Sequence, residues 1–271
     1  MREFIAELVG TALLLMAIVG SGIMGDHLAG GNVAIALLAN AIATGAALVA
    51  LILAFGPISG AHFNPLVSFA AARGRELAWP RASAFALAQC AGAVLGVGIA
   101  DFMFGEPLYA WSWHVRSGTP QAVSEAIATF GLIAVIHGCS RRRDASVPYA
   151  VGAYITAAYW FTASTSFANP AVTLARALTN TFAGIRPADV PVFVVAQVVG
   201  AAAATALFRW LVPIVPDKAE PIAGTRTRGL NGARDLCLRT QRRTVSDGGR
   251  VLLSVGRSGA GGSDIGRHTT W

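Results

Sequence analysis

Charged residues are scarce in this chain. Only 13% of its 271 residues are Asp, Glu, Lys or Arg, whereas soluble globular domains average about 25%. Residues 27–72 and 145–175 contain none of them. A membrane-spanning helix needs about 20 mostly apolar residues, and this chain has room for several. The composition therefore excludes an ordinary soluble domain.

Cysteine is also scarce. Cys90, Cys139 and Cys237 are odd in number and lack a metal-like spacing, so we expect neither a disulfide nor a zinc site. The sequence contains no nucleophile–base pair and no phosphate-binding loop of the kind that carries catalysis. We therefore expect no enzyme activity and no cofactor.

The apolar segments that are present vary in length. We predict spans near residues 4–24, 33–55, 82–103, 121–139, 147–163 and 190–212. Two shorter segments, near 64–73 and 169–180, begin at Asn-Pro, and Pro is well suited to the first turn of a helix. The prediction is an all-α membrane protein with six transmembrane helices and two re-entrant half-helices.

Arginine indicates the orientation in the membrane. Arg73, Arg75 and Arg81 lie between the second and third spans, and residues 141–143 are three arginines between the fourth and fifth. Since cytoplasmic loops carry the excess of positive charge, both termini are predicted to be cytoplasmic. The expected location is the inner (plasma) membrane.

Three short motifs occur twice in the same order. "AELVGT" (6–11) resembles "SEAIAT" (124–129), "FNPLVS" (63–68) resembles "ANPAVT" (168–173), and "LAQCAGAVLG" (87–96) resembles "VAQVVGAAAA" (195–204). The two halves, about 4–103 and 121–212, each hold three predicted spans, so they must have opposite orientations. Inverted repeats with broken helices indicate a transport pathway near the membrane midplane.

The Asn-Pro pairs predict the chemistry of that pathway. Asn64-Pro65-Leu66 and Asn169-Pro170-Ala171 enter from opposite faces, so the half-helices meet at their N-termini. Each Asn can cap its own helix and still direct an amide N–H into the lumen. The meeting point repels cations and accepts the oxygen of a small neutral solute.

These residues resemble the aquaporin and aquaglyceroporin family (major intrinsic proteins). "ELVGT", "SGAHFNP", "ANPAVT" and the paired Gln89 and Gln197 match its pattern over residues 4–212. The resemblance implies a pore in every subunit of a homotetramer. It also implies that Glu7, Glu125 and His62 support the pore loops.

In that family, four positions form the narrowest point of the pore. By spacing from the Asn residues, they are Thr44, Ser166, Val172 and a fifth-span residue. Counting back from Asn169 gives Ala157, and counting forward from Gly152 gives Tyr159; we slightly prefer Ala157.

This filter departs from the family pattern. Most members have Arg where this chain has Val172, and the usual aromatic is absent at position 44. We expect a wider opening that passes glycerol-like polyols and water. A resemblance to bacterial arsenical-permeable aquaglyceroporins that lack the filter Arg implies passage of undissociated arsenite and methylated arsenicals.

Two further residues of these boxes are irregular. Leu66 stands where Ala is usual, and its bulk is expected to shift the half-helix or narrow the pore. Arg176 lies seven residues after Asn169 and is interpreted as an end-of-helix or lipid-headgroup contact.

Residues 213–271 differ from the channel domain, residues 1–212. They contain ten Lys or Arg and five Asp or Glu, with many Gly and Ser, which is typical of disorder. We interpret them as a basic cytoplasmic tail that contacts membrane lipids and does not bind nucleic acid. Two alternatives to a passive solute channel stay open: a secondary active transporter, and a water-selective or non-conducting structural channel.

Overall fold

A computed structural model describes residues 1–140 and 144–211 of the chain. These described residues form α-helices and short 3₁₀ turns, without a strand among them. The helices are α1 (Arg2–Leu28), α2 (Val33–Ser59), α3 (Pro65–Arg73), α4 (Trp79–Phe104), α5 (Thr119–Ser140), α6 (Val147–Phe161), α7 (Pro170–Arg176) and α8 (Val190–Leu211). Each predicted span and half-helix corresponds to one of them, which confirms the predicted all-α fold. The predicted tail and Arg141–Arg143 lie outside the described residues.

The helices present apolar side chains to their surroundings. Leu87 is 74% exposed, Val195 63% and Ile42 55%, as a lipid-facing surface requires. Among the described helices, α1, α2, α4, α5 and α8 with the 3₁₀ turn before it are long and apolar enough to cross a membrane. The chain is therefore a multi-pass membrane protein.

Helix α6 is shorter than the predicted fifth span. Its 15 residues extend about 22 Å, against a hydrocarbon core of about 30 Å. The helix ends because Thr162 takes an extended conformation and begins the non-helical segment that leads to Asn169.

The second half-helix also ends before its predicted limit of residue 180. The carbonyl of Arg176 accepts a hydrogen bond from Ile185 N at 3.2 Å, and Thr179 donates to Asp101 Oδ1 of α4 at 2.7 Å. These tertiary contacts turn the chain away from the helix axis. Apolar periodicity alone did not reveal them.

The repeat seen in the sequence is also a repeat in space. Helix α1 packs along α4, and α5 packs along α8. Gly92 of α4 lies against the carbonyl of Leu8, and Gly200 of α8 lies against the carbonyl of Ala126. A Cβ atom at either glycine would overlap that carbonyl, so the two helix pairs have the same close crossing.

The half-helices α3 and α7 lie inside this frame. Helix α3, from the first half, and helix α7, from the second half, both contact α4 and α8. Most residues of both half-helices are buried. Since buried backbone at membrane depth must find hydrogen-bonding partners within the protein, the loops that precede α3 and α7 determine whether this arrangement is stable.

We predict opposite effects for the same substitution at two helical glycines. Gly200→Ala should destabilise the protein by about 1–3 kcal/mol, because the methyl group meets a backbone carbonyl that cannot move aside. Gly56→Ala is the matched control, since no atom lies within 4 Å of its added Cβ and alanine favours a helix. Thermal unfolding in detergent measures both; equal melting temperatures would contradict the close crossing.

Candidate functional site

The two Asn side chains cap their own half-helices. Asn64 Oδ1 accepts a hydrogen bond from the Leu66 amide at 3.0 Å. Asn169 Oδ1 accepts from the Ala171 amide at 3.0 Å and, more weakly, from Val172 at 3.4 Å. The capping expected from the sequence thus fixes the orientation of each amide group.

Each Asn also bonds to the loop of the opposite half. Asn64 Nδ2 donates to the carbonyl of Ala168 at 2.8 Å, and Asn169 Nδ2 donates to the carbonyl of Phe63 at 2.7 Å. The two bonds are reciprocal under the inverted repeat. The half-helices therefore meet tip to tip and are held together by two buried hydrogen bonds.

A cavity of about 200 Å³ passes the two Asn side chains. Its lining runs from His62 and Glu76, on the side of the α3 C-terminus, to Tyr159 and Arg176 on the other side. An amide NH₂ has two donors, and each Asn uses one of them on the opposite loop. The second N–H of each has no protein partner among the described residues, so it is available to an oxygen in this cavity.

The loop before α3 is held by the Glu7 carboxylate. It accepts hydrogen bonds from the amides of His62 at 3.0 Å and Phe63 at 2.8 Å. Ser59 Oγ and Gln89 Nε2 donate to the same carboxylate at 2.6 and 2.7 Å. A fully buried acid with four donors has its charge compensated locally.

The loop before α7 is held in the same way by Glu125. Its carboxylate accepts from the amides of Phe167 and Ala168, both at 2.9 Å, and from Gln197 Nε2 at 2.6 Å. Ala168 has a positive φ of 49°, a conformation that costs a non-glycine residue free energy. The carboxylate compensates for that cost by satisfying the amides that the strained backbone leaves outside a helix.

His62 takes part in the support of the first loop only. Its Nδ1 lies 3.0 Å from Ser68 Oγ, and Gln89 Nε2 donates to the same hydroxyl at 3.1 Å. In the second half Thr173 replaces Ser68 and accepts from Gln197 at 2.8 Å. The residue that corresponds to His62 by the repeat is Phe167, an aromatic ring without a polar atom.

The support by Glu125 leads to a prediction. Glu125→Gln should lower stability by about 1–3 kcal/mol, because the new NH₂ group faces a backbone donor and leaves it without an acceptor. Conduction should fall with it, since the Ala168 carbonyl carries the bond to Asn64. Solute flux and thermal unfolding of the purified protein measure the two effects.

Glu3→Gln is the control for that variant. Glu3 lies on the surface of α1 and pairs with Arg81, and exposed pairs contribute little to stability. We expect its flux and melting temperature to match those of the wild type. Equal behaviour of both variants would contradict a supporting role for Glu125.

The predicted filter residues lie together, with one exception. Thr44, Ser166 and Val172 line the cavity, as does Tyr159. Thr44 Oγ1 lies 3.2 Å from the Tyr159 hydroxyl, while Ser166 Oγ is buried and has no hydrogen-bonding partner among the described residues. One side of this ring is thus polar, and Val172 supplies an apolar wall.

The preference for Ala157 is wrong. Ala157 is exposed on the outer side of α6, and Tyr159 occupies the cavity instead. The register of α6 is fixed by Gly152, which lies against the carbonyl of Gly45 in α2. Counting from that glycine is therefore correct, and counting from Asn169 fails because α6 is short. Position 44 lacks the usual aromatic ring, and Tyr159 of α6 supplies one from across the cavity.

The Leu66 side chain does not narrow the cavity directly. Leu66 is not part of the cavity lining, whereas its neighbour Val67 is. Leu66 packs against Ile133, Ala201 and Ala204, on the side of α3 that faces α8. It is the second residue of the half-helix, and the helical turn directs it away from the lumen.

Arg176 is not a lipid-headgroup contact. It is 2% exposed, lines the cavity and donates from Nε to the carbonyl of Ala183. Its Cζ lies 3.4 Å from the centre of the Phe167 ring. Arg176 does lie at the end of the half-helix, but that end is not a surface, because the segment 177–186 covers it.

Arg116 is a site residue that sequence reasoning missed. It lies in the loop between α4 and α5, its Nε donates to the carbonyl of Gly184 at 2.8 Å, and its Cζ lies 5.1 Å from the Phe167 ring. Burial lowers the pKa of Arg116 to about 10, so it remains protonated at neutral pH. No motif marked it; its only signal was a charge in a loop with few charges.

Taken together, the fold and the cavity define a membrane channel built from two inverted halves. The model of the family described as "Major intrinsic protein" matches residues 1–159 and 144–238. The chain therefore belongs to the major intrinsic protein family, the aquaporins and aquaglyceroporins. Members of this family are channels, which confirms that the chain is not an enzyme.

Individual relatives agree with this assignment. The chain is 54% identical over 211 residues to aquaglyceroporin AqpS of Rhizobium meliloti (strain 1021), covering 78% of this chain and 90% of the relative. It is 34% identical to probable aquaporin PIP2-8 of Oryza sativa subsp. japonica over 158 residues, which are 54% of this chain and 56% of that protein.

A solved structure shares the fold. The aquaglyceroporin from Plasmodium falciparum superposes with a TM-score of 0.62 at 22% identity, over 76% of this chain and 94% of that chain. At this level of identity the likeness concerns the arrangement of the helices alone.

Proposed function

We propose that this protein is a passive channel for small neutral solutes, with water and glycerol-like polyols as its main permeants. The observation that carries the proposal is the pair of Asn amides, which cross-bond the two loops and keep one N–H each for the cavity. A solute hydroxyl group loses its hydrogen bonds to water when it enters the pore, and such donors replace them. The bacterial relative AqpS is an aquaglyceroporin, which agrees with this solute class.

The filter supports solutes larger than water. Val172 stands where most family members carry Arg, and Ser166 keeps a hydroxyl without a protein partner. Undissociated arsenite presents hydroxyl groups as glycerol does, so we include it, together with methylated arsenicals, among the proposed permeants. Tyr159 limits the opening on the side opposite Val172. The width of a solute, as well as its polarity, should therefore decide whether it enters.

The filter proposal is tested by Val172→Arg in proteoliposomes. The long guanidinium side chain should reduce glycerol and arsenite flux by about tenfold or more while water flux is retained, because only the narrow solute still fits. Stopped-flow light scattering measures water and glycerol, and arsenic uptake is measured by elemental analysis.

Val172→Met is the matched control, since it lengthens the side chain without adding charge or donors. We expect a smaller loss of glycerol flux than in the Arg variant. Retained water flux shows that both variants are folded. Equal glycerol and arsenite flux in the wild type and Val172→Arg would contradict the filter assignment.

Secondary active transport is the alternative that the inverted repeat leaves open. Asp101, which is buried near the end of α4, accepts a hydrogen bond from Thr179 and does not line the cavity. Glu7 and Glu125, the buried acids behind the pore loops, are bonded to loop amides and to the Gln89 and Gln197 side chains. Protonation of either carboxylate would leave those donors unpaired. This argues against a proton-coupled cycle and for a permanently open path.

An uncoupler separates the two mechanisms. Glycerol flux into vesicles with an imposed proton gradient should be unchanged after the gradient is collapsed, because a channel follows the solute gradient alone. Valinomycin–potassium clamping of the membrane potential provides the control for electrical effects. A flux that disappears with the gradient would favour a transporter.

We further propose an inner-membrane location, cytoplasmic termini and a homotetramer. The orientation rests on Arg73, Arg75 and Arg81, which cluster where α3 ends and α4 begins, since loops rich in positive charge face the cytoplasm. The tetramer rests on the family, since the exposed apolar faces of the helices suit either lipid or a neighbouring subunit.

A further inference from the structure

We propose that Arg176 is the cation barrier of this channel and that the protein separates selection by size from selection by charge. In this proposal the ring of Thr44, Tyr159 and Val172 limits the size of the solute. Arg176, one turn further along α7, excludes cations. This proposal rests on the proposed function because it concerns the same cavity.

The position of Arg176 on α7 carries the first part of the argument. Val172 and Arg176 are four residues apart, so they lie on the same face of the helix and are separated by about 6 Å along its axis. Both line the cavity. Because the N-terminus of α7 lies at the Asn contact, Arg176 lies beyond Val172 on the side away from the midplane. A solute that reaches the Asn pair from that side passes the guanidinium first.

The hydrogen bonding of Arg176 leaves most of its donors unused. A guanidinium has five N–H donors. In the part of the chain that the structure describes, only Nε–H of Arg176 has a hydrogen-bonding partner, the Ala183 carbonyl. The side chain is nevertheless 2% exposed, so its remaining donors lie in a confined space next to the cavity.

The guanidinium of Arg176 is not paired with a carboxylate at contact distance, although Glu125 attracts it from further away. Within the described residues it forms no ion pair. Glu125 bonds to the loop amides, and Asp189 bonds to Arg186 and to the backbone of Arg116. The result is a buried positive charge that is compensated by carbonyls and an aromatic face, and its field extends into the lumen.

Arg116 reinforces this field and positions Arg176. Its guanidinium approaches the Phe167 ring, which Arg176 also contacts. Its donors bond to the carbonyl of Ser164 and the hydroxyl of Thr165. They also bond to carbonyls in the segment 182–184, which includes the acceptor of Arg176. Two guanidinium groups therefore share one ring and one covering segment, and neither can turn away into solvent.

The test compares two permeants of nearly equal size and shape, urea and guanidinium. Tracer fluxes of both are measured in proteoliposomes for the wild type and Arg176→Met. We expect guanidinium flux to rise by about tenfold or more in the variant, since two unit charges a few ångströms apart in a protein-lined pore repel by several times the thermal energy. Urea flux should change by no more than about twofold, because Val172 and Tyr159 still set the width.

Three further variants sharpen the result. Arg176→Lys keeps the charge and should exclude guanidinium as the wild type does. Arg209→Met removes an exposed arginine of α8 that does not line the cavity and should change neither flux. The double variant Val172→Arg with Arg176→Met places the guanidinium side chain one helical turn closer to the Asn contact. The flux of guanidinium through this variant should fall back to the wild-type level.

Each outcome decides the proposal. Equal guanidinium flux in wild type and Arg176→Met overturns it, whatever urea does. If the Met variant does not fold, Arg176→Gln decides, because glutamine can still donate to the Ala183 carbonyl without a charge. A wild-type channel that passes neither glycerol nor urea overturns the proposed function, but a guanidinium leak confined to the uncharged variants would still support the barrier.

Discussion

The reciprocal bonds from Asn64 to the Ala168 carbonyl and from Asn169 to the Phe63 carbonyl are the contact on which the rest of the structure depends. They join the two halves of the chain at the irregular loops that precede α3 and α7, where backbone groups lack helical partners. Without them the loop tips would separate and expose unpaired carbonyls at membrane depth, which costs several kcal/mol per group. Because each Asn must cap its helix and bridge to the other half, its orientation has no freedom left, and the remaining N–H is fixed toward the lumen.

The buried acids follow from the same requirement. Loops with positive φ at Phe63 and Ala168 direct their carbonyls toward the opposite half, so their amides face the helices behind. An amide there needs a strong acceptor, and Glu7 and Glu125 provide it. Such acids in a membrane often indicate ion or proton pathways. Here their lone pairs are occupied by the backbone, which explains why the acids support the loops and do not belong to the lumen.

The sequence predicts the repeated parts of this structure well, because each motif occurs twice and the two copies constrain each other. The Asn-Pro boxes, the paired acids and the close helix crossings all obey the repeat offsets. The fifth-span filter residue could not be placed in this way, since α6 departs in length from its counterpart α2. Tertiary contacts, those of Gly152 with Gly45 and of Tyr159 with Thr44, decide between Ala157 and Tyr159. Arg116 and Arg176 have no counterpart in the other half, so neither the repeat nor a motif could place them together on Phe167.

Phe167 is the point at which the two halves diverge in chemistry. Where the first loop has His62, bonded to Ser68, the second has a ring with no polar atom. A ring face attracts cations, so the guanidinium groups of Arg116 and Arg176 can be buried there without an ion pair among the described residues. A carboxylate in the same place would have cancelled their charge and left the lumen neutral. Phe167 stands at the repeat position of His62, and its ring allows Arg176 to be buried. The pore therefore keeps a positive charge one helical turn from Val172.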